Sequence, residues 1–210
     1  MMESSYFATR YSPHPGRTKV WRAICEYLQK FIPTSSVVVD VGCGYCDFIN
    51  QIAAGKKYAV DVHDEAAKSC WPGVEFVKTT ALEELELPAD SVDVVLLSNV
   101  LEHLWPQQTE ALLDRLHDLL RSNGTLIVIQ PNYFYCYRHY WDDFTHVRAF
   151  SHVSLTDLLI SRRYRIRAVE KRFLPFSFKS GLPKSYWLTK LYLISPWRPV
   201  AGQMLVVARR

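Results

Sequence analysis

Residues 37–46 read VVVDVGCGYC, a run of β-branched residues that opens directly into a turn with two glycines. A run that is apolar on both faces is typical of a central parallel strand, and glycines at the following turn let a ligand approach the backbone. Asp61 ends the next predicted strand, 21 residues beyond Asp40, where a carboxylate can accept hydrogen bonds from a ribose diol. The stretch therefore predicts a doubly wound α/β fold with a site for an adenosine-type ligand.

Strands and helices alternate along the rest of the chain. Apolar spacing predicts helices at 17–32, 46–54, 109–121 and 151–161, and buried runs predict strands at 57–62, 74–77, 91–98, 125–130, 163–170 and 203–208. Ser122-Asn123-Gly124 is predicted to cap the third of these helices. We expect a doubly wound, mostly parallel sheet with an antiparallel last strand. One domain accounts for residues 1–210, with an N-terminal helical lid at 1–35 and substrate-side insertions at 131–150 and 173–199.

The glycine turn distinguishes between classes of nucleotide. A dinucleotide site favours G-x-G-x-x-G, whereas the residue three after Gly44 is Asp47, whose charge opposes a pyrophosphate at a helix start. The Gly-Lys-Ser or Gly-Lys-Thr of a Walker loop does not occur. Asp40, just before the turn, suits an ammonium group. S-adenosylmethionine has an ammonium group, a ribose diol and no phosphate, so we predict it as the cofactor.

Several segments resemble, in the same order, those of the class I S-adenosylmethionine-dependent methyltransferases. They are residues 40–46 (DVGCGYC), Asp61, Thr80-Ala81, residues 93–104 (DVVLLSNVLEHL) and Gly124-Thr125-Leu126. The segment 93–104 is similar to small-molecule and quinone O-methyltransferases, and the C-terminal part resembles bacterial members of glycan or lipid-linked biosynthesis. The resemblance implies a Rossmann-like methyltransferase fold and O-methylation of such an acceptor. It also implies cofactor contacts at Asp40, Gly42, Gly44, Asp61, Val62, Thr80, Ala81 and Ser98.

Two histidines are candidates for a catalytic base. His103 follows the carboxyl end of a predicted strand, where the crevice of a doubly wound sheet lies, and His146 lies in the 131–150 insertion. Imidazole is the usual base near neutral pH, although a packed or capping role for His103 is the alternative. Asn99 and Glu102 are close to His103 in sequence and offer a metal cluster together with His146. We predict no metal site, because a hard cation needs several oxygen ligands.

Aromatic residues crowd the 131–150 insertion, where the acceptor is expected to enter. Tyr135, Tyr140 and Trp141 are the predicted substrate contacts, since aromatic rings stack on sugars, phenols and bases. An aromatic lid that packs on the fold without touching substrate is the alternative. Cys43 and Cys46 have C-x-x-C spacing, which we interpret as small residues packed beneath the cofactor rather than as a dithiol redox motif.

Charge is distributed unevenly along the chain. Residues 151–210 hold 12 Lys or Arg and two acids, whereas residues 1–150 hold 13 against 19. A basic region attracts phosphates, nucleic acids or anionic lipid headgroups. Because residues 173–199 mix aromatic and basic side chains, they could form a peripheral membrane contact; a lid or oligomer contact is the interpretation we favour.

The location and the remaining alternatives follow from composition. No run reaches about 18 apolar residues, the N-terminus lacks an apolar block, and the five cysteines are scattered. We therefore expect a cytoplasmic protein with reduced thiols, and membrane association stays open as an addition to that location. A small-molecule or glycan acceptor is expected, and nucleic acid is not. RNA ribose methylation and a cofactor-binding scaffold without catalysis stay open as alternatives.

Overall fold

The computed structural model describes residues 16–79, 87–175 and 183–210. Within these residues the strands form one sheet of order β3-β2-β1-β4-β5-β7-β6. They are β1 (Val37–Val41), β2 (Lys56–Asp61), β3 (Val74–Lys78), β4 (Val92–Ser98), β5 (Leu120–Pro131), β6 (Arg165–Glu170) and β7 (Gln203–Arg209). Strands β1 to β5 pair in parallel, and β7 lies antiparallel between β5 and β6. The predicted fold class is confirmed.

Helices pack on both faces of this sheet. They are α1 (Arg17–Leu28), α2 (Asp47–Gln51), α3 (Pro106–Leu119), α4 (Tyr133–Cys136), α5 (His152–Ser161) and α6 (Tyr186–Ile194). Val38 packs with Ile24 in one apolar core, and its neighbour Val39 packs with Leu116 in the other. Successive strand residues face opposite sides of a sheet, which explains why β1 is apolar at nearly every position. Of the helices in the described residues, none has the length and apolar character needed to cross a membrane.

The boundaries of α3 and β5 differ from the prediction. Helix α3 begins at Pro106, ahead of the predicted start, because proline is tolerated in the first helical turn and the Gln108 side chain accepts a hydrogen bond from the Trp105 N–H (3.0 Å). The predicted cap Ser122-Asn123-Gly124 lies within β5 instead. There the pairing with β4 shifts register and Asn123 has a φ of 64°, so these residues form an irregularity in the strand.

The predicted lid and insertions have structure of their own. Residues 17–28 form α1, which packs into the core against α2 and α6, so this part of the segment is a structural layer of the fold. The 131–150 insertion contains α4 and a 3-10 turn at Tyr140–Asp142, and the 173–199 insertion contains α6. Residues 1–15 and 176–182 of these segments lie outside the described residues.

The fold predicts how two leucine truncations differ. Leu28 in α1 is fully buried, whereas Leu188 in α6 is exposed. Leu28→Ala is expected to lower the free energy of unfolding by about 2–5 kcal/mol, because it removes buried methyl groups and leaves a cavity. Leu188→Ala is the matched control and is expected to change it by less than about 0.5 kcal/mol. Urea denaturation measures both, and equal losses would contradict the assignment of α1 to the core.

Candidate functional site

The turn after β1 is a tight glycine bend, which we define as residues 42–46. Gly42 and Gly44 have φ values of +71° and +52°, in the left-handed region that favours glycine. A Cβ atom on Gly42 would lie 2.6 Å from Cγ2 of Val100. The N–H groups of Gly42 and Cys43 both donate to the carbonyl oxygen of Val60 (2.8 and 3.1 Å). These two hydrogen bonds hold the bend against the carboxyl end of β2. Val100 leaves no room for a side chain at Gly42.

Asp61, the last residue of β2, is bonded to this bend. Its Oδ2 accepts a hydrogen bond from the N–H of Gly44 (2.8 Å), and its Oδ1 accepts one from the N–H of His63 (3.0 Å). A carboxylate offers about four lone-pair positions, so each oxygen keeps acceptor capacity. Asp61 thus holds the bend in place and still presents an acceptor at the edge where a ribose diol is predicted to lie.

Asp40 is the second acidic group of the bend. It is buried at the carboxyl end of β1. Burial, with smaller contributions from Cys46 and Asp61, raises the pKa of Asp40 well above its ordinary value. A cationic ligand group beside this carboxyl would favour its ionised form, which is the role predicted for Asp40 toward an ammonium group.

The other predicted cofactor contacts differ in exposure, and two of them lie outside the described residues. Val62 is exposed just beyond β2, and Ser98 is half-buried at the carboxyl end of β4, beside the bend. Asn99 follows Ser98, and its side-chain amide binds Gln203 (3.2 Å) and Ser98 (3.3 Å). Thr80 and Ala81 lie outside the described residues.

The charge of Asp47, which argued against a pyrophosphate, is compensated. Asp47 lies in the first turn of α2 and forms an ion pair with Arg17 of α1. The Arg17 guanidinium also lies over the ring of Tyr45, 5.2 Å from its centroid. This contact ties α1 to the glycine bend, and the sequence did not reveal it because the two residues are 30 positions apart.

Three thiols lie together under the glycine bend. The Sγ atom of Cys46 is 3.6 Å from that of Cys43 and 3.2 Å from that of Cys70. Cys46 is fully buried, and its backbone is left-handed with a φ of 56°. The hydrogen bond between the Cys43 and Cys46 thiols lowers the pKa of Cys46, while burial raises the pKa of Cys70 to about 12. The packing role predicted for the C-x-x-C pair agrees with this burial, and Cys70 is a third member that sequence spacing did not indicate.

His103 lies at the crevice edge in a short 3-10 turn after β4. Its Nδ1 is 3.2 Å from the carbonyl oxygen and 3.0 Å from the hydroxyl oxygen of Thr145. The Thr145 hydroxyl in turn donates to Oδ1 of Asp143 (2.6 Å). Because both Thr145 oxygens act as acceptors toward the ring, Nδ1 carries the proton and Nε2 is the basic nitrogen. The geometry therefore suits His103 to the predicted role of base.

Sequence reasoning missed the part of Thr145 in this arrangement. Its N–H also donates to Oδ1 of Asp143 (3.1 Å), which forms an Asx turn. The Asp-x-Thr spacing of residues 143–145, directly before His146, is a local signal that predicts such a turn.

His146 and Tyr140 pack against His103. The His146 Nδ1 donates to the carbonyl oxygen of Tyr140 (2.7 Å), and the centroids of the two histidine rings are 4.9 Å apart. Tyr140 is fully buried, and its hydroxyl donates to the carbonyl oxygen of Arg148. In this structure the enclosed Tyr140 side chain supports the loop, and its predicted contact with a substrate stays a prediction.

Glu102 completes a cluster with the two histidines. Ligand atoms of Glu102, His103 and His146 all lie within 4.8 Å of one another. Neither carboxylate oxygen of Glu102 accepts a hydrogen bond from another residue, although the side chain is fully buried. Burial raises the pKa of Glu102 to about 8, with a smaller contribution from Asp143. In the absence of a cation the carboxyl group is therefore mostly protonated at neutral pH.

The same three residues fit a divalent cation better than the sequence suggested. A buried carboxylate without partners and two imidazoles whose Nδ1 atoms are bonded to backbone oxygens are typical of metal ligands held by second contacts. Two nitrogen donors favour zinc, iron or another borderline cation over magnesium. The prediction of no metal considered only oxygen-rich sites, and the bonds that orient both rings become visible only in the fold.

Aromatic side chains form an exposed rim around this cluster. Trp141 is exposed, and Tyr135 is half-buried, stacked on His152 and covered by the guanidinium of Arg172, 4.4 Å from its centroid. The Trp141 ring is thus open to solvent, whereas the Tyr135 ring already has contacts on its faces. Three further exposed rings extend the rim, and the sequence offered no reason to prefer them to their buried neighbours: Phe134, Tyr137 and Phe144.

Comparison with known proteins gives matches that agree with this geometry. Residues 39–128 match the family model described as a methyltransferase domain. Two curated proteins of Mycobacterium tuberculosis, from strains CDC 1551 and H37Rv, are each 38% identical over 105 residues, and each is named a probable S-adenosylmethionine-dependent methyltransferase. The match covers 47% of this chain and 37% of the relatives, so the chain spans little more than a third of their length.

Solved structures share the fold over most of the chain. A SAM-dependent methyltransferase from Archaeoglobus fulgidus has a TM-score of 0.66 at 20% identity and covers 100% of this chain and 99% of its own. The 1,6-didemethyltoxoflavin-N1-methyltransferase of Burkholderia thailandensis, solved with its substrate and S-adenosylhomocysteine, has a TM-score of 0.62 at 20% identity, covering 100% and 85%. At this identity the likeness establishes the shared fold.

The buried Glu102 predicts a pH-dependent stability. With a folded pKa of about 8 against an ordinary 4.5, the folded state binds more protons than the unfolded state between these values. The free energy of unfolding is therefore expected to fall as pH rises from 5 to 8, by up to about 1.4 kcal/mol per pH unit from this group. Glu102→Gln, which resembles the protonated acid, should make that slope shallower.

Chemical denaturation at several pH values with a chelator present measures the slope. Glu65→Gln, at an exposed glutamate, is the matched control and should keep the parental slope. An unchanged slope in Glu102→Gln would contradict the neutral buried carboxyl.

Proposed function

We propose that the chain transfers the methyl group of S-adenosylmethionine to an oxygen atom of a small molecule or of a glycan or lipid-linked intermediate. Its residues 39–128 match a methyltransferase-domain model, and its curated relatives are named probable S-adenosylmethionine-dependent methyltransferases. The observation that carries the proposal is the glycine bend bonded to Asp61. It brings two carboxyl groups, Asp40 and Asp61, to the carboxyl edge of neighbouring strands. The edge therefore carries two carboxyl groups, and the N–H groups of residues 42–44 already donate to protein acceptors. Such an edge suits a cationic nucleoside without phosphate better than a dinucleotide.

Residues in and beside the glycine bend have separate roles in cofactor binding. Asp61 accepts from the ribose hydroxyls while remaining bonded to Gly44 and His63. The absence of a side chain at Gly42 lets Val100 pack against the bend and hold its shape. Asp40 sits where its charge can be offset by the ammonium group. When bound, S-adenosylmethionine supplies a methyl group attached to a sulfonium sulfur. After transfer of the methyl group, that sulfur is left in a neutral thioether.

His103 is positioned to remove the proton of the acceptor. Its Nδ1 is bonded through Thr145 to Asp143, so its Nε2 can take a proton as the acceptor oxygen bonds to the methyl carbon and the carbon–sulfur bond breaks. A base within hydrogen-bond reach contributes about 10²–10⁴-fold to such a step, and orientation of the acceptor in the crevice contributes further. If Glu102, His103 and His146 held a cation instead, the Nε2 of His103 would be a ligand and not the base, and the cation would lower the pKa of a hydroxyl bound to it.

The exposed aromatic rim supports the acceptor class. Trp141, which packs on Tyr140, and Phe144, which precedes Thr145, are exposed near the His103 cluster, and Phe134 is exposed on the same insertion. Rings stack on the apolar faces of sugars and phenols, and stacking requires no charge on the acceptor. This is the feature that favours a glycan or aromatic alcohol as acceptor.

Removal of the Asp61 carboxylate tests cofactor binding. Asp61→Asn is expected to weaken S-adenosylmethionine binding by about 10–100-fold, because hydrogen bonds to a charged acceptor are worth about 1.5–3 kcal/mol. Asp64→Asn, at an exposed aspartate three residues later, should leave the affinity within about two-fold. Isothermal titration calorimetry measures both dissociation constants, and equal affinities for the Asp61 variant and the parent would reject the assignment.

Replacement of His103 tests catalysis. Cell extract is incubated with the protein and methyl-labelled S-adenosylmethionine, and mass spectrometry identifies the labelled product. His103→Asn is expected to lower turnover by about 100-fold or more while the cofactor dissociation constant changes less than about two-fold. His139→Asn, at an exposed histidine of the same insertion, is the matched control. Equal turnover in both variants would remove His103 from the mechanism, and a product sensitive to ribonuclease would overturn the proposed acceptor class.

A further inference from the structure

Helix α6 has one face against the protein and one face open to solvent. On the inner face Leu193 is fully buried, the Tyr186 hydroxyl donates to Glu26 of α1 (2.7 Å), and Lys190 binds the same carboxylate (2.8 Å). The outer face carries large apolar side chains at helical spacing, all more than half exposed: Trp187, Leu188, Leu191 and Ile194. The helix is therefore anchored by its polar and buried face and presents an apolar one.

The exposed apolar surface continues past the end of the helix. Trp197 is 77% exposed and Val200 is 69% exposed. With the outer face of α6 they form what we call the α6 patch: Trp187, Leu188, Leu191, Ile194, Trp197 and Val200. Single exposed hydrophobic residues are ordinary, but a group of six within 14 residues is typical of a surface that binds something.

The chain segment that carries the α6 patch has charged residues of one sign. Residues 171–210 contain eight Lys or Arg and no acid. Lys190 and Arg198 are paired with Glu26 and Glu170 of neighbouring elements, whereas Lys171 and Arg172 are exposed at the start of the insertion. An apolar surface in a basic segment complements a partner that has an apolar interior covered by a layer of anionic groups.

The α6 patch belongs to the segment that joins the crevice edge of the sheet. Strand β6 ends at Glu170 and β7 begins at Gln203, whose side chain binds Asn99 just beyond β4 (3.2 Å). Asn132, after β5, donates through its backbone N–H to the carbonyl oxygen of Gly202 (2.8 Å). The insertion carrying the patch is thus attached at the same edge of the sheet as the glycine bend and His103.

We propose that the α6 patch docks the protein on the surface of an anionic lipid bilayer. Tryptophan, leucine and isoleucine on one helix face are the residues that enter the headgroup and acyl boundary, and basic flanks bind anionic headgroups. A nine-residue helix is far too short to span the bilayer, so α6 lies in the interface. A second copy of the chain suits the patch less well, because a two-fold contact would bring the two acid-free basic segments together.

Cosedimentation with vesicles tests the proposal on the 210-residue chain. The protein is expected to bind vesicles of mixed phosphatidylglycerol and phosphatidylcholine, and to bind less to phosphatidylcholine alone or at high salt. Ile194→Glu is expected to lower the partition constant by about ten-fold or more. The change removes an aliphatic side chain that would enter the bilayer, and it adds a negative charge that anionic headgroups repel. Ile160→Glu makes the same change at an isoleucine of α5 that is 58% exposed, against 68% for Ile194, and should bind as the parent does.

Further measurements distinguish membrane docking from self-association, and a failure of docking from a failure of the proposed function. Trp187→Ala should also weaken vesicle binding, and melting temperatures should show that all three variants are folded. Absence of vesicle binding, or equal binding by Ile194→Glu and Ile160→Glu, would overturn the proposal. So would a dimer in analytical ultracentrifugation that only Ile194→Glu dissociates, because the patch would then bind a second copy. S-adenosylmethionine affinity should be unchanged in every variant, so a failure of docking is distinguishable from a failure of the proposed function.

Discussion

The hydrogen bond from the Gly44 N–H to the Asp61 carboxylate joins the two strands on which the site depends. It closes the carboxyl end of β2 against the turn that leaves β1. That turn needs left-handed backbone at both glycines and cannot hold a Cβ at Gly42, because Val100 occupies the space. Packing from β4 and hydrogen bonding from β2 therefore impose the same bend, and the cofactor site is a consequence of how the central strands meet.

The cluster of Glu102, His103 and His146 is held together at a cost to stability. A buried carboxyl group without a partner is unfavourable unless it is neutral or bound to a cation, and burial keeps the pKa of Glu102 high. The loop contacts of Thr145 and Tyr140 fix the orientation of both imidazole rings. Residues that lower stability while their neighbours hold them in place are typical of functional sites, where local rules of folding are set aside.

The regular part of the fold could be predicted because burial imposes a period on the sequence. Apolar runs such as 37–41 and 92–98 indicate central strands, and their order implies right-handed crossovers. The 131–150 insertion has no such period. Tyr140 and Trp141 are adjacent aromatic residues, yet one is fully buried and the other exposed. Outside regular structure, neighbours in sequence carry no information about which side faces the core, so the sequence could not distinguish the buried Tyr140 from the exposed Trp141.

By itself the sequence determined the α/β class, the positions of the central strands, and the glycine bend with its two carboxyl groups, because each depends on local composition. Only the tertiary structure decided which side chains meet across long separations. The contacts of Arg17 with Asp47, of His103 with Thr145 and of α6 with α1 join residues about 30 to 160 positions apart. Such pairs are formed by packing of whole elements, and no local pattern records which distant surface an element will cover.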